Sequence, residues 1–233
     1  MFVEVALAGE IPSSIVTLLA PRGSPDGEPA QDPENPPHPS TAVFYSISNC
    51  QAGLRGISFG DFLIKQVVDE LRRELPELRT FVTLSPAPGF AAWLATDDGL
   101  LPAEDREALT ALQADDWLKD PARAEAIRPH LLRAAALYFL KAKTGSGKPL
   151  DPVARFHLNN GASLHQLNFL ADASPRALRE AHGLMVNYRY KLDEIEANHG
   201  RFAREGHVAA SAEVLALAEE GAPSSPHRTH TKK

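Results

Sequence analysis

Residues 41–84 impose the strongest constraint on what this chain can fold into. Thr41-Ala42-Val43-Phe44-Tyr45-Ser46-Ile47-Ser48 is rich in β-branched and aromatic residues and is followed by turn formers, which predicts a strand. A loop with glycines at 53, 56 and 60 comes next. Leu63, Ile64, Val67, Val68 and Leu71 then recur at the spacing of a helix with one apolar face, with Asp61 placed to start it and Pro76 to stop it. A second strand is predicted over residues 79–84. The order strand, glycine loop, helix, strand is a βαβ pattern, which requires a helix packed across a sheet.

The flanking sequence extends this α/β reading. Residues 2–7 predict a strand and residues 11–20 a short helix. Seven prolines between residues 21 and 39, with almost no large apolar side chain, cannot offset their ordering entropy, so a disordered loop is expected over 21–40. Residues 90–143 read as helical almost throughout: Pro102 suits a first helical turn, and a long helix spans 122–143, with Pro129 expected to break or kink its start. A helix is predicted over 152–158, strands over 163–170 and 183–192, and a closing helix over 208–219. One domain is expected over 1–221, followed by a disordered tail over 222–233.

Composition narrows the function classes. A hydrophobic fraction of 43% and a charged fraction of 23% are ordinary for a soluble globular chain. The net charge of -6 provides no global basic field, so nucleic acid is not expected as a partner. Cys50 is the one cysteine, which rules out an intramolecular disulfide and a cysteine-based zinc cluster. No metal is expected, because no His, Asp or Glu cluster has ligand spacing. No apolar run approaches the roughly 18 residues of a membrane span, and the N-terminal residues resemble a strand rather than a cationic leader, so a cytoplasmic protein without a membrane partner is expected. A chain that opens inside a strand also implies sequence upstream.

Two motifs carry the chemistry. In Leu84-Ser85-Pro86-Ala87-Pro88-Gly89-Phe90 a serine ends a strand on a stiff proline-rich turn; its hydroxyl can serve the turn or a substrate. It is not a Gly-x-Ser-x-Gly elbow. In Phe156-His157-Leu158-Asn159-Asn160-Gly161 a histidine lies beside two amides that can orient an imidazole or donate to an oxyanion. Together they suggest a hydroxyl and an imidazole converging on one substrate. The glycine loop between strand and helix can hold a phosphate on its amides, with Arg55 and Lys65 supplying charge; on spacing alone a connection without a ligand is as good a reading. It matches neither the dinucleotide nor the Walker pattern. Gly145-Ser146-Gly147-Lys148 lacks the upstream glycine of a P-loop and is read as a solvated loop. In Asn187-Tyr188-Arg189-Tyr190 the two tyrosines share a face, assigned to the core.

In chain order, Val5-Ala6-Leu7-Ala8-Gly9-Glu10-Ile11, Phe44-Tyr45-Ser46-Ile47-Ser48, Gly53-Leu54-Arg55-Gly56, Phe62-Leu63-Ile64-Lys65, the serine and histidine motifs, and Gly183-Leu184-Met185-Val186-Asn187-Tyr188-Arg189-Tyr190 resemble the C-terminal catalytic part of the malonyl-CoA decarboxylase family. The resemblance covers most of residues 2–220. It implies an α/β (α+β) fold with a GNAT-like mixed, splayed β-sheet flanked by helices, lacking its N-terminal part. It implies that the backbone of Gly53, Leu54, Arg55, Gly56, Ile57, Ser58, Phe59, Gly60 and Asp61 meets the coenzyme A pyrophosphate. Ser85 and His157 would be the catalytic pair, with Ser46, Tyr190 and Asn160 at the substrate. The implied reaction converts malonyl-CoA to acetyl-CoA and CO2 without a metal or organic cofactor, coenzyme A being part of the substrate. The complete family protein is expected to be a homo-oligomer. Ser58 stands where some members have a glutamate, so no acid role carries over to it. The C-terminal His230-Thr231-Lys232-Lys233 is no Ser-Lys-Leu peroxisomal address. An acyl-CoA-dependent acyltransferase, or a CoA-binding but inactive fragment, is the alternative.

Overall fold

The computed structural model describes residues 2–20, 39–48, 60–96, 99–114 and 116–220. Cys50, the glycine loop through Phe59, residues 21–38 of the proline-rich segment and the 222–233 tail lie outside the described residues. Of the expected loop over 21–40, Ser40 is held in place: its hydroxyl donates to the Gly9 carbonyl at 2.7 Å and its N–H to Ala8.

A six-stranded mixed sheet organises the chain. Strand β1 (Phe2–Ala8) pairs antiparallel with β2 (Thr41–Ser48), which pairs in parallel with β3 (Thr80–Thr83). The crossover between β2 and β3 contains helix α2 (Gly60–Glu74), whose Ile64 and Val68 are buried one turn apart against the sheet. This is the βαβ unit read from residues 41–84. After Leu84 the chain resumes as the short β4 (Ser85–Pro86), and both β3 and β4 lie against β6 (Met185–Arg189), which also pairs with β5 (Ser163–Asn168). The mixed α/β sheet flanked by helices is the architecture that the family resemblance implies.

Strand alternation sorts the side chains into two cores. Ala42, Phe44, Phe81, Val186 and Tyr188 join the larger core under the helices; Val43, Val82, Leu84 and Met185 join a smaller one on the opposite face, where α1 (Ile15–Leu19) packs. The larger core is closed by α3 (Phe90–Leu94), α4 (Ala103–Leu109) and α5 (Pro121–Leu140), in which Ala134, Ala135 and Ala136 are fully buried. The helix predicted over 122–143 is capped by Asp120, whose carboxylate accepts from the Ala122 and Arg123 amides. Its helical assignment continues through Pro129, where a break or kink was expected. Pro129 and Glu125, four residues before it, are both exposed, so water can satisfy the carbonyl that the missing N–H leaves free.

Helix α6 (Pro152–Asn159) runs one residue past the predicted 152–158 and α9 (Ala212–Glu219) falls within the predicted closing helix, but two helices do not appear in the sequence reading: α7 (Pro175–Ala181) and α8 (Ile195–Glu205). Helix α9 starts later than residue 208 because Ala209 and Ser211 instead bond to Leu164 on β5, extending the sheet by a bridge at Ala210.

Candidate active site

The strand register creates the site. The β2–β3 ladder runs from Thr41↔Thr80 to Phe44↔Thr83, and the Leu84 amide makes a last bond to the Phe44 carbonyl at 3.2 Å. Ser85, next in the chain, is aligned with Val186 of β6 instead. The two parallel strands therefore part where Ser85 begins, while β2 continues past a bulge at Tyr45 with Ser46, Ile47 and Ser48 paired to β1. A single parallel ladder ending partway along its strands leaves this edge of β2 without a strand partner among the described residues beyond Phe44.

Ser85 is 6% exposed at this opening. Its Oγ lies 3.2 Å from Nε2 of His157, 72 positions away in sequence. His157 is 4% exposed and comes from the last turn of α6, whose N-terminus Asp151 caps by accepting from the Ala154 amide at 2.8 Å. The helix ends at Gly161, whose φ of +79° and close approach to the Ile195 carbonyl leave no room for a Cβ. Cap and stop together fix which turn of α6 meets Ser85.

The hydrogen-bond directions assign the protons. The Ser85 hydroxyl donates to Thr83 Oγ1 at 2.9 Å, and Thr83 Oγ1 also accepts from the Tyr188 amide. With its own proton used in this way, Ser85 is an acceptor towards the imidazole, so His157 carries its proton on Nε2. Nδ1 is then an acceptor, and the Tyr190 hydroxyl donates to it at 2.8 Å. The imidazole also stacks on Tyr188, with centroids 4.6 Å apart and planes 24° from parallel. Burial lowers the His157 pKa from the ordinary imidazole value to about 3, so the ring is neutral at pH 7. Chemically, the arrangement presents a neutral N–H donor beside a hydroxyl, both buried, with a phenol behind the ring.

The residues anticipated from sequence are placed as follows. Ser85, His157 and Tyr190 form one hydrogen-bonded chain. Ser46 lies on β2 opposite Glu4, beyond a bulge at Tyr45 that shifts the alternation, so that Ile47 and not Ser46 shares the larger-core face with Phe44; Phe44 packs edge-on against Tyr190 at 6.4 Å. Asn160 is the C-cap of α6: its amide donates to the Phe156 carbonyl, and its buried Oδ1 has no partner among the described residues. It lines a cavity of about 130 Å³ together with Lys65, Ile195 and His199. Gly60 and Asp61 open α2, and residues 53–59 lie outside the described residues.

Two members of the cluster were not anticipated as site residues. Thr83 precedes Ser85 by two positions and therefore shares its face, a signal that strand period could have supplied. Tyr188 was assigned to the core with Tyr190; the aromatic face is indeed buried, but it is the wall that His157 stands against.

Comparison with known proteins bears on the same segments. The family model described as malonyl-CoA decarboxylase C-terminal domain matches residues 1–227. Mitochondrial malonyl-CoA decarboxylase of Anser anser anser is 34% identical over 94% of this chain and 47% of its own length. The Rattus norvegicus protein of the same name is 36% identical over 92% of this chain and 47% of its own length. Among solved structures, malonyl-CoA decarboxylase from Rhodopseudomonas palustris superposes with a TM-score of 0.81 at 53% identity, covering 92% of this chain and 48% of that one. The Agrobacterium vitis enzyme gives 0.82 at 53% identity, covering 93% and 52%. The chain thus spans about half the length of the relatives it matches, and it belongs to the malonyl-CoA decarboxylase family, as its C-terminal domain.

Proposed function

We propose that this chain carries the catalytic centre of a malonyl-CoA decarboxylase, a carboxy-lyase that converts malonyl-CoA to acetyl-CoA and CO2. The observation that carries the reading is the Thr83–Ser85–His157–Tyr190 chain of hydrogen bonds at the point where two parallel strands part. Decarboxylation of a malonyl thioester needs the carboxylate turned out of the thioester plane, donors for the enolate oxygen, and a proton for the carbanion. The thioester carbonyl is itself the electron sink, so the reaction draws on no metal or organic cofactor, and coenzyme A enters with the substrate.

In the proposed sequence the Ser85 hydroxyl exchanges Thr83 for the malonyl carboxylate and holds it out of plane. The C–C bond breaks, CO2 leaves, and the electron pair moves into the thioester as an enolate. His157 Nε2–H, neutral and already aimed at Ser85, donates to the developing charge and then transfers its proton to the enolate carbon. Nδ1 takes the Tyr190 proton as Nε2 releases its own; a solvent proton then returns to Nε2 while Nδ1 hands its proton back to the Tyr190 phenolate, restoring the starting tautomer. The same reading makes Ser46 and Asn160 substrate contacts. It also places the pyrophosphate on the backbone of residues 53–61 at the start of α2, where the N-terminal end of a helix dipole favours an anion. Cytoplasmic placement, a role in fatty acid metabolism and homo-oligomeric assembly belong to the same proposal; cell fractionation and gel filtration test the first and the last.

Incubation with malonyl-CoA tests the central reading. Acetyl-CoA and CO2 formed in equal amounts without any acceptor support it. Acyl transfer that occurs only when an amine is added, or binding of the substrate without product, overturns it.

A further inference from the structure

A cavity of about 430 Å³ lies at the open end of the β5–β6 pair, walled on one side by small and apolar residues of the 208–215 segment and on the other by a cluster of basic side chains. His165, Arg189, Lys191, Arg201 and His207 face it, and Glu194 is the one acid among the lining residues. That carboxylate is already used, accepting from Lys191 Nζ at 3.1 Å. Arg201 is steadied by donating to Asn198 Oδ1 at 2.8 Å, which leaves its other N–H groups available. Arg189 has no carboxylate within ion-pair distance among the described residues. In a chain of net charge -6 with its histidines neutral, Arg189, Lys191 and Arg201 around one acid already paired to Lys191 are a local concentration of the opposite sign.

The local sequence builds this cavity. Strand alternation sends Tyr188 towards His157 and Arg189 to the other face of β6. The β5–β6 register slips between Leu164 and Gln166, so His165 is the extra residue of a bulge, which re-aims its side chain. Residues 209–211, bonded to Leu164, close one wall, and α8 closes another. Burial, and next the neighbouring Arg189, hold the His165 imidazole below its ordinary pKa, as expected where positive potential is concentrated. The volume is that of a small-ligand site, and two guanidinium groups suit the paired oxygens of phosphate or carboxylate.

We propose that this cavity is a second ligand site, separate from the Ser85–His157 pair, that binds a compact multivalent anion through Arg189, Arg201 and Lys191, with His165 and His207 alongside. The shared chemistry is two or more adjacent anionic groups, as in a polyphosphate or a polycarboxylate. The inference does not rest on the decarboxylase reading, because its test reads binding and not turnover.

The test titrates the whole chain with inorganic pyrophosphate and, separately, with citrate, following the imidazole ring resonances of His165 and His207 by NMR and the heat of binding by calorimetry. Saturable shifts of both rings are expected in at least one arm; the tighter arm identifies the ligand as phosphate or carboxylate. Arg189→Gln and Arg201→Gln should each weaken that affinity about tenfold, the loss of one charge-assisted pair. Lys191→Gln, at a half-exposed rim position, should weaken it in the same direction and serves if a guanidinium variant does not fold. Binding that leaves both rings unmoved, as at the glycine loop alone, overturns the proposal. So does the absence of saturation in both arms, or an affinity unchanged in the variants.

Discussion

His157 is a neutral donor across the physiological range because burial penalises a positive ring, and no carboxylate bonds it among the described residues. Ser85 accepts from one nitrogen, Tyr190 donates to the other and Tyr188 covers a face. Two consequences can be measured. Tyr190→Phe removes the donor to Nδ1 and unlocks the tautomer; kcat should fall about tenfold to a hundredfold with coenzyme A affinity little changed, as read by steady-state kinetics and a binding titration. The second consequence concerns acid stability. The folded-state pKa near 3 lies below the unfolded value of 6.5, so the unfolded chain binds the extra proton and stability falls as pH drops. The contribution is complete above about pH 6.5 and is lost between that value and pH 3, at on the order of 1.4 kcal/mol per pH unit. Denaturant unfolding at pH 7 and pH 5 should show that loss in the natural chain and a smaller one in His157→Gln. Ser85 and His157 were legible from sequence because each is a reactive residue in a stiff, unusual setting. Thr83 was not, since a threonine in a strand is ordinary until its hydroxyl is seen to receive two hydrogen bonds.

The turn that bears Ser85 and the helix that bears His157 are held together by Asp151. Its Oδ1 caps α6, its Oδ2 accepts from Tyr138 at 3.3 Å, and the Gly89 amide also donates to it. Tyr138 packs so tightly on the serine turn that a Cβ at Gly89 would lie 2.6 Å from its hydroxyl. Asp151→Ala should therefore lower stability by about 1–3 kcal/mol, from the lost cap and the unsatisfied amides, and lower kcat with it. Asp151→Asn, which keeps an accepting oxygen for the cap, should be much milder in both; calorimetry and kinetics on the pair make the comparison. Gly161→Ala should cost about 1–3 kcal/mol in denaturant unfolding, because it forces a positive φ and meets the Ile195 carbonyl. The helix from Pro152 was read from the sequence without its Asp151 cap, and α2 was read from its apolar spacing. Helix α8 was not, since only Ile195, Asn198 and Phe202 of it are buried and one of these is polar.

The parting of β2 from β3 opens the candidate site, and it depends on contacts distant in sequence. The βαβ order predicts that these strands are parallel neighbours. It does not predict that the ladder ends at Phe44↔Thr83, because that is decided by β6, which arrives about a hundred residues later and takes Ser85 as its partner. The sheet carries the serine, the threonine and both tyrosines, while α6 delivers the histidine from one face. The fold class and the order of its main elements could therefore be read from patterning, whereas the depth of the opening depends on tertiary register. The chain that holds this centre is about half as long as the mitochondrial relatives it matches, which makes its activity in isolation a question for the bench. The most direct measurement compares malonyl-CoA turnover and coenzyme A affinity in the natural chain and in His157→Asn. A fall in kcat of about a hundredfold or more, with affinity within a few-fold, is the predicted result. Turnover that survives the substitution, or a loss of affinity as large as the loss of turnover, would contradict the role assigned to His157.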